Sequence, residues 1–381
     1  MQIDYDGFAK KKKQRIIMKL FLDKAKNHLS QNLPFVLYKK PKDTNITGIF
    51  QQNDELFRVT NFTEKGFIFA SFDGTKTYLI PEKESEIINI VFKKNEIAFS
   101  ENEFSTPSEI TKNQFENLVK KGIQAIENKE FKKVVLSRKE TVHLIYFDII
   151  TVFERAIQLY PTTFVYCFYH PKVGIWLGAT PEQLVKVNEF EFKTIALAGT
   201  QKDAGSNEVV WPKKEQEEQQ FVTDYILEKL KNFTSEFVVS EPYSIKAGSI
   251  WHIKTDISGF LNSSSSLQQL IQLLHPTPAV CGLPKENSKQ FILENEKYDR
   301  TFYTGFLGEL NIENQTDLFV NLRSMEIEIT PSKTNKLKLA MTKAHLFMGC
   351  GITKDSIPEK EWEESINKSV TMKNILDLGS N

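Results

Sequence analysis

The 381-residue sequence has few cysteines, no net charge and no long apolar run. Its three cysteines, Cys167, Cys281 and Cys350, are odd in number and far apart, which fits neither a disulfide framework nor a zinc site and favours a reducing cytosol. The 49 basic residues balance the 49 acidic ones, so no nucleic-acid partner is expected. The sequence has no signal-peptide pattern and no stretch of about 18 apolar residues, so we expect a cytoplasmic protein without a membrane partner.

The hydrophobic pattern predicts an α+β layered fold. Short apolar segments separated by turn residues indicate antiparallel sheets, and the helical segments carry apolar stripes that would pack outside them. A polar stretch at 101–109 is interpreted as a surface connection. Besides a last helix after residue 356, the predicted helices are 16–29, 112–128, 147–159, 212–231, 265–274 and 284–296, and the predicted strands are 35–38, 46–50, 57–59, 67–72, 77–80, 132–145, 163–169, 173–179, 191–198, 237–240, 249–260, 302–311, 317–328 and 336–348.

The last predicted helix has a marked start and one charged face. Ser356 followed by Glu359 has the spacing of a capping box, and Pro358 is typical of a first helical turn. The spacing i, i+3, i+7 then predicts a face that carries two carboxylates and an ammonium. These residues are Glu361, Glu364 and Lys368.

Two glycines are predicted to form a turn before this helix. Gly349 and Gly351 follow the apolar segment 344–348 and could expose backbone N–H groups to an anion. An oxygen-rich metal site beside such amides suggests an enzyme that acts on a carboxylated substrate through Mg²⁺. The alternative is a solvated, charged helix face.

A second helix repeats the acidic spacing. Glu215 and Glu218 stand at i, i+3 on the predicted helix 212–231. Two such helices facing each other could hold Mg²⁺, partly through water. Since this spacing is common on exposed helices, the alternative for each pair is a solvated helix face, which is the commoner case for such a pair by itself.

A strand lysine and a turn glutamate are candidates for proton transfer. Lys133 shares a strand face with Val135 and Ser137, and in a closed cavity it could serve as a base. A solvent-facing strand lysine is the alternative. Glu182 follows a strand and a Thr-Pro turn, where burial could keep it protonated as a general acid.

Three further segments could contact a substrate. Gly199 and Thr200 end a predicted strand, with amides free to bind a carboxylate. His252 is either a substrate contact or a hydrogen-bonded core histidine. Arg323 is predicted to point inward from the strand 317–328, and its guanidinium suits a carboxylate.

Together these segments resemble the chorismate-utilising enzymes, and among them the isochorismate synthases. The resemblance implies one large domain of two stacked antiparallel sheets flanked by helices, as in anthranilate synthase. Residues 1–110, which match only loosely, would form its N-terminal part, and 111–376 its chorismate-binding catalytic region. The matching segments, in the order of the family, are KVVLSR (133–138), LGATPE (177–182), LAGT (197–200), KEQEE (214–218), His252, HPTPAVCG (275–282), YTG (303–305), LR (322–323) and the block 349–368.

The resemblance also implies the ligands of the site. Chorismate would be the substrate and Mg²⁺ the only cofactor, held by Glu218 and Glu361 with Glu215 and Glu364 beside them. The amide of Gly199 and the hydroxyl of Thr200 would help the metal to bind the ring carboxylate. The remaining implied substrate contacts are His252, Ala279, Tyr303, Arg323, Gly349, Gly351 and Lys368.

The implied reaction is a reversible isomerisation. Water adds at C2 with Lys133 as base, while the C4 hydroxyl leaves with a proton from Glu182. The role would be menaquinone or siderophore synthesis. Ammonia-using relatives generally lack this lysine and work with a glutaminase, so a monomer without that partner is expected. This chain departs from the family at Gln219, where histidine is common. The change puts in doubt a contact that would support Glu218, but not Glu218 as a ligand.

Two alternatives remain at this point. Salicylate synthases share the lysine but then eliminate pyruvate, and such members tend to carry threonine where this chain has Ala279. Alanine there favours stopping at isochorismate. The other alternative is a non-catalytic chorismate-binding protein, although every implied catalytic position carries a competent residue.

Overall fold

A computed structural model describes residues 5–93, 107–144, 147–203, 205, 209–234, 236–247, 250–262, 264–330 and 341–376. The helices in these ranges are α1 (Tyr5–Ser30), α2 (Glu109–Glu127), α3 (Ile149–Leu159), α4 (Lys213–Leu230), α5 (Leu267–Leu274), α6 (Lys285–Asn295) and α7 (Pro358–Lys373), with a 3-10 turn at Glu82–Glu84. The strands are β1 (Phe35–Lys39), β2 (Asn45–Gln51), β3 (Phe57–Arg58), β4 (Gly66–Ala70), β5 (Thr77–Pro81), β6 (Ser85–Val91), β7 (Lys133–Leu144), β8 (Phe164–His170), β9 (Gly174–Thr180), β10 (Gln183–Asn188), β11 (Glu191–Lys202), β12 (Phe237–Val239), β13 (Tyr243–Ala247), β14 (Ile250–Phe260), β15 (Gly282–Leu283), β16 (Phe306–Ile312), β17 (Gln315–Val320), β18 (Ser324–Thr330) and β19 (Met341–Ile352).

Within the described ranges the strands form two antiparallel sheets. The first has nine strands in the order β15-β7-β19-β18-β9-β8-β1-β2-β6. The second has ten, in the order β12-β14-β11-β10-β17-β16-β4-β5-β3, with β13 paired to β14. This architecture confirms the predicted α+β class with stacked antiparallel sheets.

The strand β8 shows why the sheets stack. All seven of its residues are buried. Phe164 and Phe168 pack against Phe67 and Phe69 of the second sheet, whereas Val165 and Cys167 on the opposite face join the core beneath α1 and α3. A strand that is apolar on both faces requires cover on both sides, and here the covers are a second sheet and a helical layer.

Helices cover the outer faces of both sheets. The helices α1 and α3 pack on the first sheet through Phe21, Phe153 and their neighbours. The helices α4 and α5 cover the second sheet through Ile226, Leu270 and other apolar residues. The helices α2, α6 and α7 surround the end of the first sheet formed by β15, β7 and β19. The two acidic helices, α4 and α7, therefore lie on different layers of the fold.

The prediction of one strand over 317–328 was wrong. The segment forms β17 in the second sheet and β18 in the first, so the chain crosses between the sheets at 321–323. Arg323 lies in this crossing with a positive φ of 48° rather than on a strand. Asn321 fixes the crossing, because its side chain donates to Phe302 O and accepts from the Tyr166 hydroxyl. No glycine or proline in the sequence marks this break.

Two expectations about the end of the chain also need correction. Gly349 and Gly351 lie inside β19, opposite Ser137 and Val135 of β7, rather than in a turn. The helix α7 begins at Pro358 as expected, but its N-cap is Ile357 and no side chain caps it. Ser356 instead accepts a hydrogen bond from the Thr353 amide, which closes the loop before the helix.

The other predicted elements are confirmed in type where the structure describes them, with ends shifted by a few residues except in α1, which begins at Tyr5 rather than at residue 16. The sequence pattern missed β6, β10, β13 and β15, which are short or partly polar. Residues 101–106, 145, 249 and 336–340 of the predicted segments lie outside the described residues. The division at residue 110 stays a prediction. No helix in the described ranges is long and apolar enough to cross a membrane.

Candidate active site

Most of the predicted site residues line two adjoining cavities at the end of the sheets where β7, β19 and β11 lie. An inner cavity of about 70 Å³ lies between the sheets, and an outer one of about 420 Å³ opens beside α4 and α7, with Thr200 lining both. Lys133 does not line either cavity, but its ammonium contacts Glu218, which lines the inner one. The predicted residues that line the inner cavity are Glu182, Gly199, Thr200, Glu218, His252, Ala279, Tyr303, Arg323, Gly349, Gly351 and Lys368, and those that line the outer one are Thr200, Glu215, Glu361 and Glu364.

Four carboxylates from α4 and α7 form an acidic cluster, which we define as Glu215, Glu218, Glu361 and Glu364. The i, i+3 spacing on each helix directs both carboxylates of that helix toward the cavities, as predicted. Burial and the neighbouring charge of Glu364 raise the pKa of Glu361 to about 7. Buried carboxylates held close together at neutral pH require cations beside them.

Three lysines supply positive charge to this cluster. The Lys133 ammonium lies 2.9 Å from Glu218 Oε1, and those of Lys214 and Lys368 lie 2.6 Å from Glu361 Oε1 and Glu364 Oε1. Burial opposes the ionisation of Glu218, but the charges of Lys133 and Lys214 hold its pKa below the ordinary value.

The donor atoms of the cluster fit a hard divalent cation. Glu215 Oε2 and Glu361 Oε2 are buried and form no hydrogen bond with any described residue. Buried oxygens without a donor are costly, and Mg²⁺ prefers carboxylate oxygens that leave coordination positions for water. The backbone of β19 allows this approach only because residue 351 is glycine, since a Cβ there would clash with Glu218 Oε1.

Glu182 is placed as a buried acid. It follows β9, and its amide donates to Thr180 Oγ1 while its carbonyl accepts from the Val320 amide at 2.9 Å, which ties this turn to β17 of the second sheet. Burial raises the pKa of Glu182 to about 8, although the charges of Lys133 and Lys368 limit the rise. Glu182 is therefore protonated at neutral pH, which is the state that a general acid needs.

Gly199 and Thr200 lie in a bulge rather than at the end of a strand. The pairing of β11 with β14 shifts register between Ala198 and Gln201, so these two residues leave the ladder while β11 continues to Lys202. Gly199 has a φ of 72°, and a Cβ there would lie 3.2 Å from the Cβ of Glu215. A bulge of this kind can turn polar groups of the backbone toward a ligand.

His252 and Arg323 form a buried pair in the wall of the inner cavity. His252 Nδ1 lies 2.9 Å from Gly199 O, and its Nε2 lies 3.1 Å from Arg323 Nη2. Burial and the Arg323 charge lower the pKa of His252 to about 3, so the ring is neutral, with Nδ1–H donating to Gly199 O and Nε2 accepting from Arg323. The guanidinium also donates to Thr371 Oγ1. Its partners named here are neutral, so this buried cation suits an anionic ligand.

Lys368 and Tyr303 complete the wall next to β19. The Lys368 ammonium donates to Gly349 O at 2.8 Å as well as contacting Glu364. A Cβ on Gly349 would lie 2.9 Å from the Tyr303 hydroxyl. The glycines of β19 therefore provide space for polar side chains against the strand, rather than the free turn amides that the sequence suggested.

The structure also identifies residues that the sequence interpretation did not select. Lys214 contacts Glu361, and its i, i+4 spacing from Glu218 could have indicated its position. Thr277 is buried, and its side chain limits the rise that burial causes in the pKa of Glu182. Gln219, the departure from the family pattern, donates to Thr223 and Thr255 and so ties α4 to β14.

The chain is similar in sequence to known proteins. Residues 67–377 match the family model described as chorismate binding enzyme. Isochorismate synthase EntC of Escherichia coli (strain K12) is 32% identical over 277 residues, which cover 69% of this chain and 67% of EntC.

Two solved structures share the fold. One is DhbC of Bacillus anthracis, described as a 2,3-dihydroxybenzoate-specific isochorismate synthase, with a TM-score of 0.74 and 22% identity over 91% of this chain and 97% of that one. The other is MenF, the menaquinone-specific isochorismate synthase of Escherichia coli, with a TM-score of 0.72 and 19% identity over 90% of this chain and 89% of that one.

Proposed function

Because the chain belongs to the family of chorismate-binding enzymes, we propose that it is an isochorismate synthase that converts chorismate reversibly to isochorismate. The observation that supports this proposal most directly is the pairing of a buried, protonated Glu182 with an amine, Lys133, beside one small cavity. An acid and a base are the two groups that exchange of a ring hydroxyl for water requires.

The acidic cluster would hold Mg²⁺ in this proposal. Glu218 and Glu361 are the closest ligands, with Glu215 and Glu364 beside them and some contacts made through water. When bound, the ion neutralises the ring carboxylate of chorismate and withdraws electrons from the ring. The Gly199 amide and the Thr200 hydroxyl assist at the same carboxylate.

The substrate carboxylates account for the remaining polar wall. Arg323 and Tyr303 bind the enolpyruvyl carboxylate in this proposal, with Lys368 and the β19 backbone nearby. The support is the buried Arg323 guanidinium, whose hydrogen bonds go to the neutral groups Thr371 and His252. His252 accepts a hydrogen bond from the Arg323 guanidinium and so orients it. It therefore acts through Arg323, in addition to the direct substrate contact that the sequence suggested.

The reaction then needs two proton transfers. Lys133 removes a proton from the water that adds at C2, and Glu182 protonates the C4 hydroxyl, which leaves as water while the ring double bonds shift between the two carbons. For this role the Lys133 amine has to be neutral in the reaction complex. Substrate and product have the same kinds of bonds, so the step is reversible, with the acid and base exchanging roles.

The pathway that this chain serves is proposed from its relatives and structural neighbours. EntC is a relative in sequence, and the structural neighbours DhbC and MenF are isochorismate synthases described as specific for 2,3-dihydroxybenzoate and for menaquinone. We therefore propose that the isochorismate formed here feeds either menaquinone or a catechol siderophore.

Product identification tests the proposal. Purified protein incubated with chorismate and Mg²⁺ should form isochorismate, resolved by chromatography, without a matching amount of pyruvate. The variant Lys133→Ala should lose nearly all isochorismate formation, whereas Lys132→Ala, which changes the adjacent exposed lysine, should not. Salicylate plus pyruvate as the main products would favour a salicylate synthase instead, and no turnover in either variant or wild type would favour a non-catalytic chorismate-binding protein.

A further inference from the structure

Lys214 differs from the other two lysines that contact the acidic cluster. The Lys133 side chain is 0% exposed, and Lys368 is anchored by a second bond to Gly349 O. The Lys214 side chain is 22% exposed and lines the outer cavity, so its ammonium has a route to solvent. Among these three lysines it has the most exposed side chain, since that of Lys368 is 15% exposed.

The partner of Lys214 is the most buried carboxylate of the cluster. The Glu361 side chain is 1% exposed, and its Oε1 accepts from the Lys214 ammonium at 2.6 Å. A buried carboxylate without a cation is strongly unfavourable, so Lys214 stabilises Glu361 in this arrangement. The same charge would repel a divalent cation bound to the same carboxylate.

We propose that Lys214 is a displaceable internal counter-ion, which neutralises Glu361 until Mg²⁺ takes its place and the lysine moves into the outer cavity. This inference rests on the magnesium site of the proposed function. The four carboxylates of the cluster face three ammonium groups, so exchanging one ammonium for a divalent ion keeps the buried charges nearly balanced. Because each binding event must displace the lysine, Lys214 lowers the apparent Mg²⁺ affinity and eases release of the ion.

Chemical labelling of the wild-type protein tests the displacement. Lysine acylation is followed by peptide mass spectrometry in EDTA and in saturating MgCl₂. Lys214 should react several-fold faster with Mg²⁺, while the adjacent Lys213, whose side chain is 88% exposed, serves as the internal reference and should not change. Equal labelling of Lys214 in the two conditions would overturn the proposal, because the lysine would then stay in place.

Calorimetric titration of MgCl₂ into the Lys214→Met variant provides the second measurement. We expect the dissociation constant to fall about tenfold relative to wild type and the EDTA-treated variant to melt at a lower temperature. The control Lys213→Met should match wild type in both. An unchanged or weaker Mg²⁺ affinity in Lys214→Met would contradict the proposal. If wild type itself binds no Mg²⁺, the metal site of the proposed function fails, whereas Mg²⁺ binding without a Lys214 response rejects this inference alone.

Discussion

The same two sheets enclose very different contents at their two ends. Toward β8, β1 and β4, the space between them is filled by stacked aromatic rings, among them Tyr38, Phe67 and Phe164. Toward β7, β19 and β11, it holds a cavity bordered by buried ionisable side chains such as Glu182 and Arg323. We refer to these regions as the aromatic end and the charged end.

The aromatic end mainly stabilises the fold, whereas the charged end carries the groups proposed for the reaction. At the aromatic end, close packing of rings removes apolar surface from water and holds the sheets together. At the charged end, glycines of β19 and the bulge of β11 keep space open, and carboxylates are buried at a cost that cations only partly offset. Substitutions at the two ends should therefore affect different properties.

The largest expected effect is on turnover at the charged end. Lys133→Ala and Glu182→Gln should each lower kcat by about 10²- to 10⁴-fold, because each removes a proton-transfer group. Rates of isochorismate formation, with circular dichroism to verify folding, are the measurement. Retained turnover in either folded variant would remove that residue from the proposed mechanism.

The opposite result is expected at the aromatic end. Phe67 is fully buried against Tyr38 and Phe164, and Phe67→Ala should lower the free energy of unfolding by about 3–5 kcal/mol. Denaturant titration measures this loss. The kcat of the folded variant should stay near that of wild type, and a large drop in kcat would show that the two ends are not independent. Phe67→Leu is the milder control.

Glu182→Gln should also increase stability at alkaline pH. Folding raises the pKa of Glu182 from 4.5 to about 8, so the native state binds more protons than the unfolded state between these values and loses stability as pH rises through them. Glutamine does not titrate. The variant should gain about 2–4 kcal/mol relative to wild type between pH 5 and pH 9. Denaturant titrations across this pH range measure the free energy of unfolding of both proteins. If the difference between the variant and wild type does not change with pH, the raised pKa of Glu182 is contradicted.

A smaller effect is expected for a methyl group added to β19. A Cβ at residue 351 would clash with Glu218 Oε1, so Gly351→Ala should push this carboxylate away and weaken Mg²⁺ binding by about tenfold. Calorimetric titration provides the dissociation constant. Gly74→Ala is a control for the substitution itself, since a Cβ there meets nothing within 4 Å although its positive φ adds strain. An unchanged affinity in Gly351→Ala would argue against Glu218 as a ligand.

The smallest expected effect concerns product choice. Ala279 lines the inner cavity, and Ala279→Thr should increase the minor release of pyruvate from chorismate, with isochorismate still the main product. A coupled lactate dehydrogenase assay measures pyruvate. If no increase occurs, position 279 does not select between the two outcomes in this chain.

Local spacing was enough to predict which residues share a face. The i, i+3 pairs Glu215–Glu218 and Glu361–Glu364 were assigned to two helices, and both pairs do face the cavities. Strand β7 was predicted nearly to its ends, with Lys133 on a defined face. These are short-range properties, because helix and strand periods fix side-chain direction over a few residues.

Longer-range features could not be predicted in the same way. Arg323 was assigned to a strand, but the chain crosses between sheets there, held by contacts of Asn321 with Phe302 and Tyr166. Gly349 and Gly351 were assigned to a turn because glycine is common in turns, yet pairing with β7 extends the strand through them. In both cases partners distant in sequence outweighed the local preference.

The sequence alone determined the α+β class, the order of most elements and the chemical types present at the site, because periodicity and residue chemistry are local properties. Only the tertiary structure decided that Lys214 contacts Glu361, that His252 accepts from Arg323 and that Glu182 becomes a weak acid. These depend on burial and on charges brought together from different layers of the fold, and the electrostatic cost of removing a charged group from water is fixed only when its surroundings are complete.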